Sequence, residues 1–144
     1  MKLDPLDEVN YRRKLAQGYL NECRQAFLRG DWRNTVACAQ LCAENAAKAV
    51  IALFRIPSWT YDPSEELNQV TSLLPEEARQ YVACLAEISH RLAPEHSRTV
   101  YGEPTRRLSP WELYSKSDAE EALKMAEEAV KLMEHILSLC LGGT

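Results

Sequence analysis

A chain of 144 residues, 46% of them hydrophobic and 26% charged, has the size and balance of one globular domain, which we expect to span residues 1–144. The net charge of −4 argues against non-specific coating of nucleic acid. The longest apolar stretch, "AAKAVIALF" at 46–54, is too short to cross a membrane, and the acidic, proline-containing N-terminus lacks the apolar core of a signal peptide. We therefore predict a cytoplasmic protein without a membrane partner.

Two amphipathic helices are predicted in the first part of the chain. Apolar residues recur at helical spacing over about 7–29 and again over about 32–55, where Pro57 ends the pattern. The apolar residues of the second helix are mostly alanines, which allow a neighbouring helix to approach closely. Trp59, in the loop that follows, is predicted to pack against the bundle, or to anchor a partner if it is exposed.

Three further helices complete the predicted fold. "DPSE" at 62–65 is typical of a helix start and introduces a short third helix, and a fourth runs from Pro75 to a stop before Pro94. Residues 93–116 contain three prolines and a glycine and are predicted to form one long loop. The last helix is predicted to begin with the capping box "SDAE" at 117–120. The pattern thus predicts an all-α, antiparallel up-and-down bundle of about five helices.

Basic and aromatic residues cluster within the predicted long loop and the helix end before it. Cations beside aromatic rings suit phosphates and stacked bases. The alternative is a loop that its arginines merely solvate, with the aromatic rings packed on the bundle. Lys48 has two interpretations as well, a local ion pair with Glu44 or a position in a phosphate-facing groove. The predicted ligand or phosphate-binding residues are Lys48, Arg98, Tyr101, Arg106 and Arg107.

The sequence indicates neither a metal site nor a cofactor. Its five cysteines are odd in number and contain no C-x-x-C pair, so a disulfide framework and a zinc site are not signalled. No H-x-x-x-H pair suggests a helical metal site, and no glycine-rich loop suggests a dinucleotide cradle. We therefore predict no metal and no cofactor.

The second helix, "DWRNTVACAQLCAENAAKAVIALF", resembles the central helix of HEPN domains, in which a run of small residues with glutamine, glutamate and lysine packs at the bundle centre. The later segments "SRTVYGEP" and "SDAEEALKMAEEAVKLMEHIL" resemble the proline-containing loop and the long final helix of the same family. The similarity covers roughly residues 7–140. The matching positions of the second helix are Gln40, Ala43, Glu44, Ala46, Lys48 and Ala49.

The resemblance implies an all-α domain that is often a homodimer. Many such domains are paired with a minimal nucleotidyltransferase as toxin and antitoxin, and others bind nucleotides. The active members are metal-independent ribonucleases that use an arginine and a nearby histidine. Arg91 and His96 form such an arginine–histidine pair here, although Pro94 between them is predicted to place His96 in the loop.

Three hypotheses of function follow. The first is a HEPN-type domain that binds a nucleotide or RNA phosphate through the basic loop, as the possible partner of a minimal nucleotidyltransferase. The second is a metal-independent endoribonuclease with His96 as the base and Arg91 as the cation that stabilises charge on the phosphate. The third is a helical bundle that only binds other proteins.

Overall fold

Seven α-helices and two short 3₁₀ turns follow one another in residues 4–142, the part of the chain that the computed structural model describes. Within that part there is no β-strand, and one isolated bridge joins Glu103 to Leu108. The predicted all-α helical bundle is confirmed. The helices are α1 (Pro5–Leu28), α2 (Trp32–Ile51), α3 (Ser64–Val70), α4 (Arg79–Leu92), α5 (Glu95–Tyr101), α6 (Pro110–Leu113) and α7 (Lys116–Leu141).

Helix α2 is the centre of the fold and packs against α1, α7, α4 and α5. Five of its six alanines are fully buried, Ala37 being the exception, and their small side chains let several helices contact one helix at once. Local interactions stabilise both ends of the connection between α1 and α2. Gly30 adopts a left-handed φ of 75°, and the Asp31 carboxylate accepts a hydrogen bond from Asn34 N at the start of α2. The central position of α2 brings its polar residues to the surrounding helices.

The starts of α3 and α7 differ from the predicted ones. Asp62 accepts hydrogen bonds from the backbone and hydroxyl of Ser64, but α3 begins at Ser64, one residue later than predicted. Helix α7 begins two residues earlier, because Ser115 and Asp118 form the reciprocal capping box. The segment contains two overlapping matches to the capping pattern, and the earlier one adds residues to the helix.

Residues 93–116 contain two short helices, α5 and α6, instead of one long loop. Pro94 lies directly before α5 with φ −60° and ψ −23°, and Ala93 is also helical. Proline costs little at the beginning of a helix, where its missing N–H would have no partner within the helix. Pro94 therefore caps the start of α5 instead of leaving the chain irregular, and His96 lies on a helix.

Gly102 ends α5 in a conformation that only glycine adopts readily, with φ 72° and ψ −141°. A Cβ atom there would overlap the backbone carbonyl oxygen of Leu108. We expect Gly102→Ala to lower the free energy of unfolding by about 2–3 kcal/mol, from backbone strain and the displaced turn. Urea denaturation followed by circular dichroism measures the change.

Gly18→Ala is the matched control, because Gly18 lies within α1 and a Cβ there has nothing within 4 Å. That substitution should raise the free energy of unfolding by about 0.5–1 kcal/mol, since alanine favours the helix. Equal effects of the two substitutions would contradict the role assigned to Gly102.

In residues 4–142 no helix combines the length and the apolar character that a membrane span requires.

Candidate functional site

A cleft of about 680 Å³ lies between α1, α2 and the loop of residues 52–63. Two cations and three aromatic rings face it, a combination that the sequence distributes over three separate segments. We call it the Trp59 cleft, and its lining residues are Tyr11, Arg12, Glu44, Lys48, Ser58, Trp59, Thr60 and Tyr61.

Lys48 lines the Trp59 cleft although its side chain is only 5% exposed. Its ammonium donates to Glu44 Oε2 over 2.9 Å, so the predicted local ion pair exists. Among the residues that the structure describes, Glu44 is the one hydrogen-bond partner of this ammonium, which carries three N–H donors. A buried charge with spare donors is stabilised when an anion binds beside it.

A hydrogen-bonded chain runs from Lys48 through α2 to α5. Glu44 accepts at its other oxygen from Gln40 Nε2 over 3.0 Å, and Gln40 Oε1 lies 3.0 Å from His96 Nδ1. The His96 ring stacks on Tyr61, with 3.5 Å between ring centroids and 15° between planes. This chain thus connects Lys48, which lines the Trp59 cleft, to His96, which stacks on another lining residue, Tyr61.

Trp59 lies fully exposed in the loop of residues 52–63, so the prediction that it packs against the bundle is wrong. The loop is fixed on both sides of it. Ser58 donates its N–H and its hydroxyl to Glu66, and the Asp62 carboxylate lies 2.7 Å from His90 Nδ1. Burial alone would raise the pKa of Asp62, but hydrogen bonds from Ser64 and His90 outweigh it and lower that pKa. The tryptophan ring is therefore held in solvent by an anchored backbone.

Arg12 forms the α1 side of the Trp59 cleft. Its Nε donates to Glu8 over 2.9 Å, and its Nη1 donates to Asn45 over 3.1 Å. The guanidinium also lies over the Tyr11 ring, 5.4 Å from the centroid. Contacts with both α1 and α2 hold this cation at the cleft.

Arg91 and His96 point to different neighbours. Arg91 donates to Glu121 on α7 over 3.0 Å and lines a separate pocket of about 230 Å³, whereas His96 contacts Gln40 and Tyr61. Two arginines and three carboxylates face that pocket, so its charge is unfavourable for a phosphate. Catalysis by Arg91 and His96 stays a prediction.

The arginines of the predicted basic loop are mostly paired with nearby carboxylates. Arg98 donates to Glu95 over 2.6 Å and to Glu103 over 2.8 Å, and Arg106 donates to Glu103 over 3.1 Å. These hydrogen bonds lower the pKa of Glu103. Tyr101 is 73% exposed, so it does not pack into the bundle.

Arg107 adopts a left-handed φ of 56° in the turn that follows Gly102, and it is exposed. Among the predicted ligand residues, Lys48 alone lines the Trp59 cleft, and Arg98 lines the Arg91 pocket. The predicted ligand residues therefore do not form one cleft in the described part of the chain.

A model of the HEPN domain matches residues 9–136. The chain belongs to the HEPN domain family. A crystal structure of TT1696 from Thermus thermophilus superposes with a TM-score of 0.68 at 20% sequence identity, covering 90% of this chain and 98% of that one. At that identity the likeness shows the shared fold alone. A search of the curated proteins finds no significant match.

The sequence indicated only part of this HEPN domain's cleft. Gln40, Glu44 and Lys48 matched the family pattern of α2, and buried polar residues in an alanine-rich helix are the signal that distinguishes them. Arg12 carries no such signal, because one arginine on an amphipathic helix resembles many solvated ones. Its contact with Asn45 joins residues 33 positions apart, which periodicity does not reveal.

Proposed function

We propose that this HEPN domain binds a nucleotide in the Trp59 cleft, with a phosphate at Lys48 and Arg12 and the base stacked on Trp59. The observation that carries the proposal is the buried ammonium of Lys48, which faces the cleft with donors to spare. Hydrogen bonds between ionised groups are about twice as strong as neutral ones, so a phosphate oxygen is a favourable acceptor there.

The aromatic lining supports a base as the other half of the ligand. Stacking of a base on an aromatic side chain contributes about 1–3 kcal/mol, and the Trp59 ring is free to accept it. Two cations suit a single phosphate group better than they suit the many phosphates of a long nucleic-acid backbone. The chain's net charge of −4 also disfavours a long polyanion.

Residues 93–116, here called the basic segment, are a less favourable place for a nucleotide to bind. A phosphate that approached Arg98 or Arg106 would have to displace the carboxylates of Glu95 and Glu103, which also repel it. The Lys48 ammonium leaves more room for an anion, because it has one protein acceptor in the described residues.

Calorimetric titration with nucleoside mono- and triphosphates tests the proposal. Arg12→Ala should weaken binding about tenfold, or about 1.4 kcal/mol, through loss of one phosphate contact. Affinity should also fall with salt, with a logarithmic slope of about one to two. Arg98→Ala is the matched control and should leave affinity unchanged, because its guanidinium is paired with two glutamates. A loss of binding in Arg98→Ala but not in Arg12→Ala would show that the nucleotide binds at the basic segment and not in the Trp59 cleft.

The family also suggests partners. We propose a cytoplasmic homodimer that works with a minimal nucleotidyltransferase chain, as many HEPN domains do. Light scattering of the purified protein, alone and mixed with a minimal nucleotidyltransferase chain from the same genome, measures both associations. A monomer that forms no complex with that chain would contradict this extension and leave the nucleotide site to be tested separately.

A further inference from the structure

The orientation of the Gln40 side-chain amide is determined by its neighbours. Gln40 is 2% exposed, and its Nε2 lies 3.0 Å from Glu44 Oε1 and 3.5 Å from the carbonyl oxygen of Tyr61. Both neighbours are acceptors, and the Glu44 carboxylate is paired with the Lys48 ammonium. A reversed amide would place its oxygen against two other oxygens. The amide nitrogen therefore faces Glu44, and the amide oxygen faces His96.

This orientation determines which nitrogen of His96 carries the proton. Gln40 Oε1 can only accept, so His96 Nδ1, 3.0 Å away, must donate. A neutral imidazole has one N–H, which leaves a lone pair on Nε2. In the described part of the chain His96 Nε2 has no hydrogen-bond partner. Stacking on Tyr61 fixes the plane of the ring as well.

We infer that Gln40 is a positioning residue that fixes His96 as the Nδ1–H tautomer, which leaves the Nε2 lone pair available to accept a hydrogen bond from an O–H or N–H group. Tyr61, on which His96 stacks, also lines the Trp59 cleft. If the proposed function holds, the donor is a ribose hydroxyl or a base amino group of the nucleotide. The tautomer itself does not depend on that function.

Nitrogen-15 NMR of the labelled full chain tests the tautomer without any ligand. At about pH 8.5, where imidazoles are ordinarily neutral, long-range proton–nitrogen spectra distinguish a protonated ring nitrogen from one with a lone pair. His96 is assigned by the loss of its signals in His96→Gln. We expect the proton on Nδ1, and a proton on Nε2 in the wild-type protein would overturn the inference.

Glu44→Gln provides a sharper second measurement. Lys48 should keep the oxygen of the new amide as its acceptor, so the amide nitrogen turns toward Gln40. Gln40 must then present its oxygen to that nitrogen and its own nitrogen to His96, which reverses the His96 tautomer. Glu121→Gln, on the far side at Arg91, is the matched control and should change nothing. An unchanged tautomer in a folded Glu44→Gln protein would contradict the role of Gln40.

Adding ligands to the wild-type protein tests the acceptor role. Adenosine monophosphate should shift the His96 Nε2 resonance, and inorganic phosphate, which offers no ribose or base donor, should leave it in place. Saturating nucleotide binding without that shift would overturn the acceptor role. If no nucleotide binds at all, the proposed function fails. The His96 tautomer in the ligand-free protein still tests the positioning role of Gln40.

Discussion

Replacing Lys48 with methionine should lower the free energy of unfolding by about 3 kcal/mol, because it leaves a buried carboxylate without its cation. The Lys48 and Glu44 side chains are only 5% and 10% exposed, so solvent compensates little for the loss. Methionine preserves most of the volume of the lysine stem and therefore tests the charge. The same substitution should abolish measurable nucleotide binding, since it removes the cation assigned to the phosphate.

Urea denaturation followed by circular dichroism measures the stability of this variant. Lys124→Met is the matched control, because Lys124 is exposed on α7, and it should change stability by no more than about 0.5 kcal/mol. Adding Glu44→Gln to Lys48→Met should recover most of the loss, because no uncompensated charge remains. A Lys48→Met protein as stable as the control would show that the ion pair is effectively solvated.

Replacing Trp59 with alanine should weaken nucleotide binding about tenfold or more, because a stacked aromatic ring contributes about 1–3 kcal/mol per base. The same change should alter stability by less than about 0.5 kcal/mol, because the ring is fully exposed. The two results together separate a binding role from a structural one. Calorimetric titration and urea denaturation give the two quantities.

Trp111→Ala is the control for a tryptophan outside the cleft. Trp111 is 75% exposed, and the Arg33 guanidinium lies 5.8 Å from its ring centroid. Its removal should leave the nucleotide affinity unchanged. An equal loss of affinity in Trp59→Ala and Trp111→Ala would indicate non-specific aromatic contacts and would contradict the Trp59 cleft as the binding site.

The sequence predicted the helices of the bundle because burial of one face imposes a period near 3.6 residues on a helix. The residues of α2 and of the later segments carried the resemblance to HEPN domains, which the family match confirms. The prediction from the sequence was wrong at 93–116, where three prolines and a glycine indicated one long irregular loop. Pro94 instead lies immediately before a helix, and proline is tolerated at a helix start as well as in a loop.

The candidate site was less predictable than the fold. Composition drew attention to the arginines of 93–116, but composition does not show that Arg98 and Arg106 are paired with glutamates on the same segment. It also does not show which way a tryptophan in a loop points. Trp59 is exposed because Ser58 and Asp62 are held by Glu66 and His90, whose positions depend on the packing of α3 and α4.

By itself, then, the sequence determined the helical class, which depends on periodic burial along each chain segment. Its resemblance to HEPN domains indicated the family and the central place of α2. Only the tertiary structure decided that Arg12, Lys48 and Trp59 share a cleft and that Arg91 and His96 contact different neighbours. The physical reason is that local periodicity specifies which face of a helix is buried. The distance between polar groups on different helices depends instead on how those faces pack together.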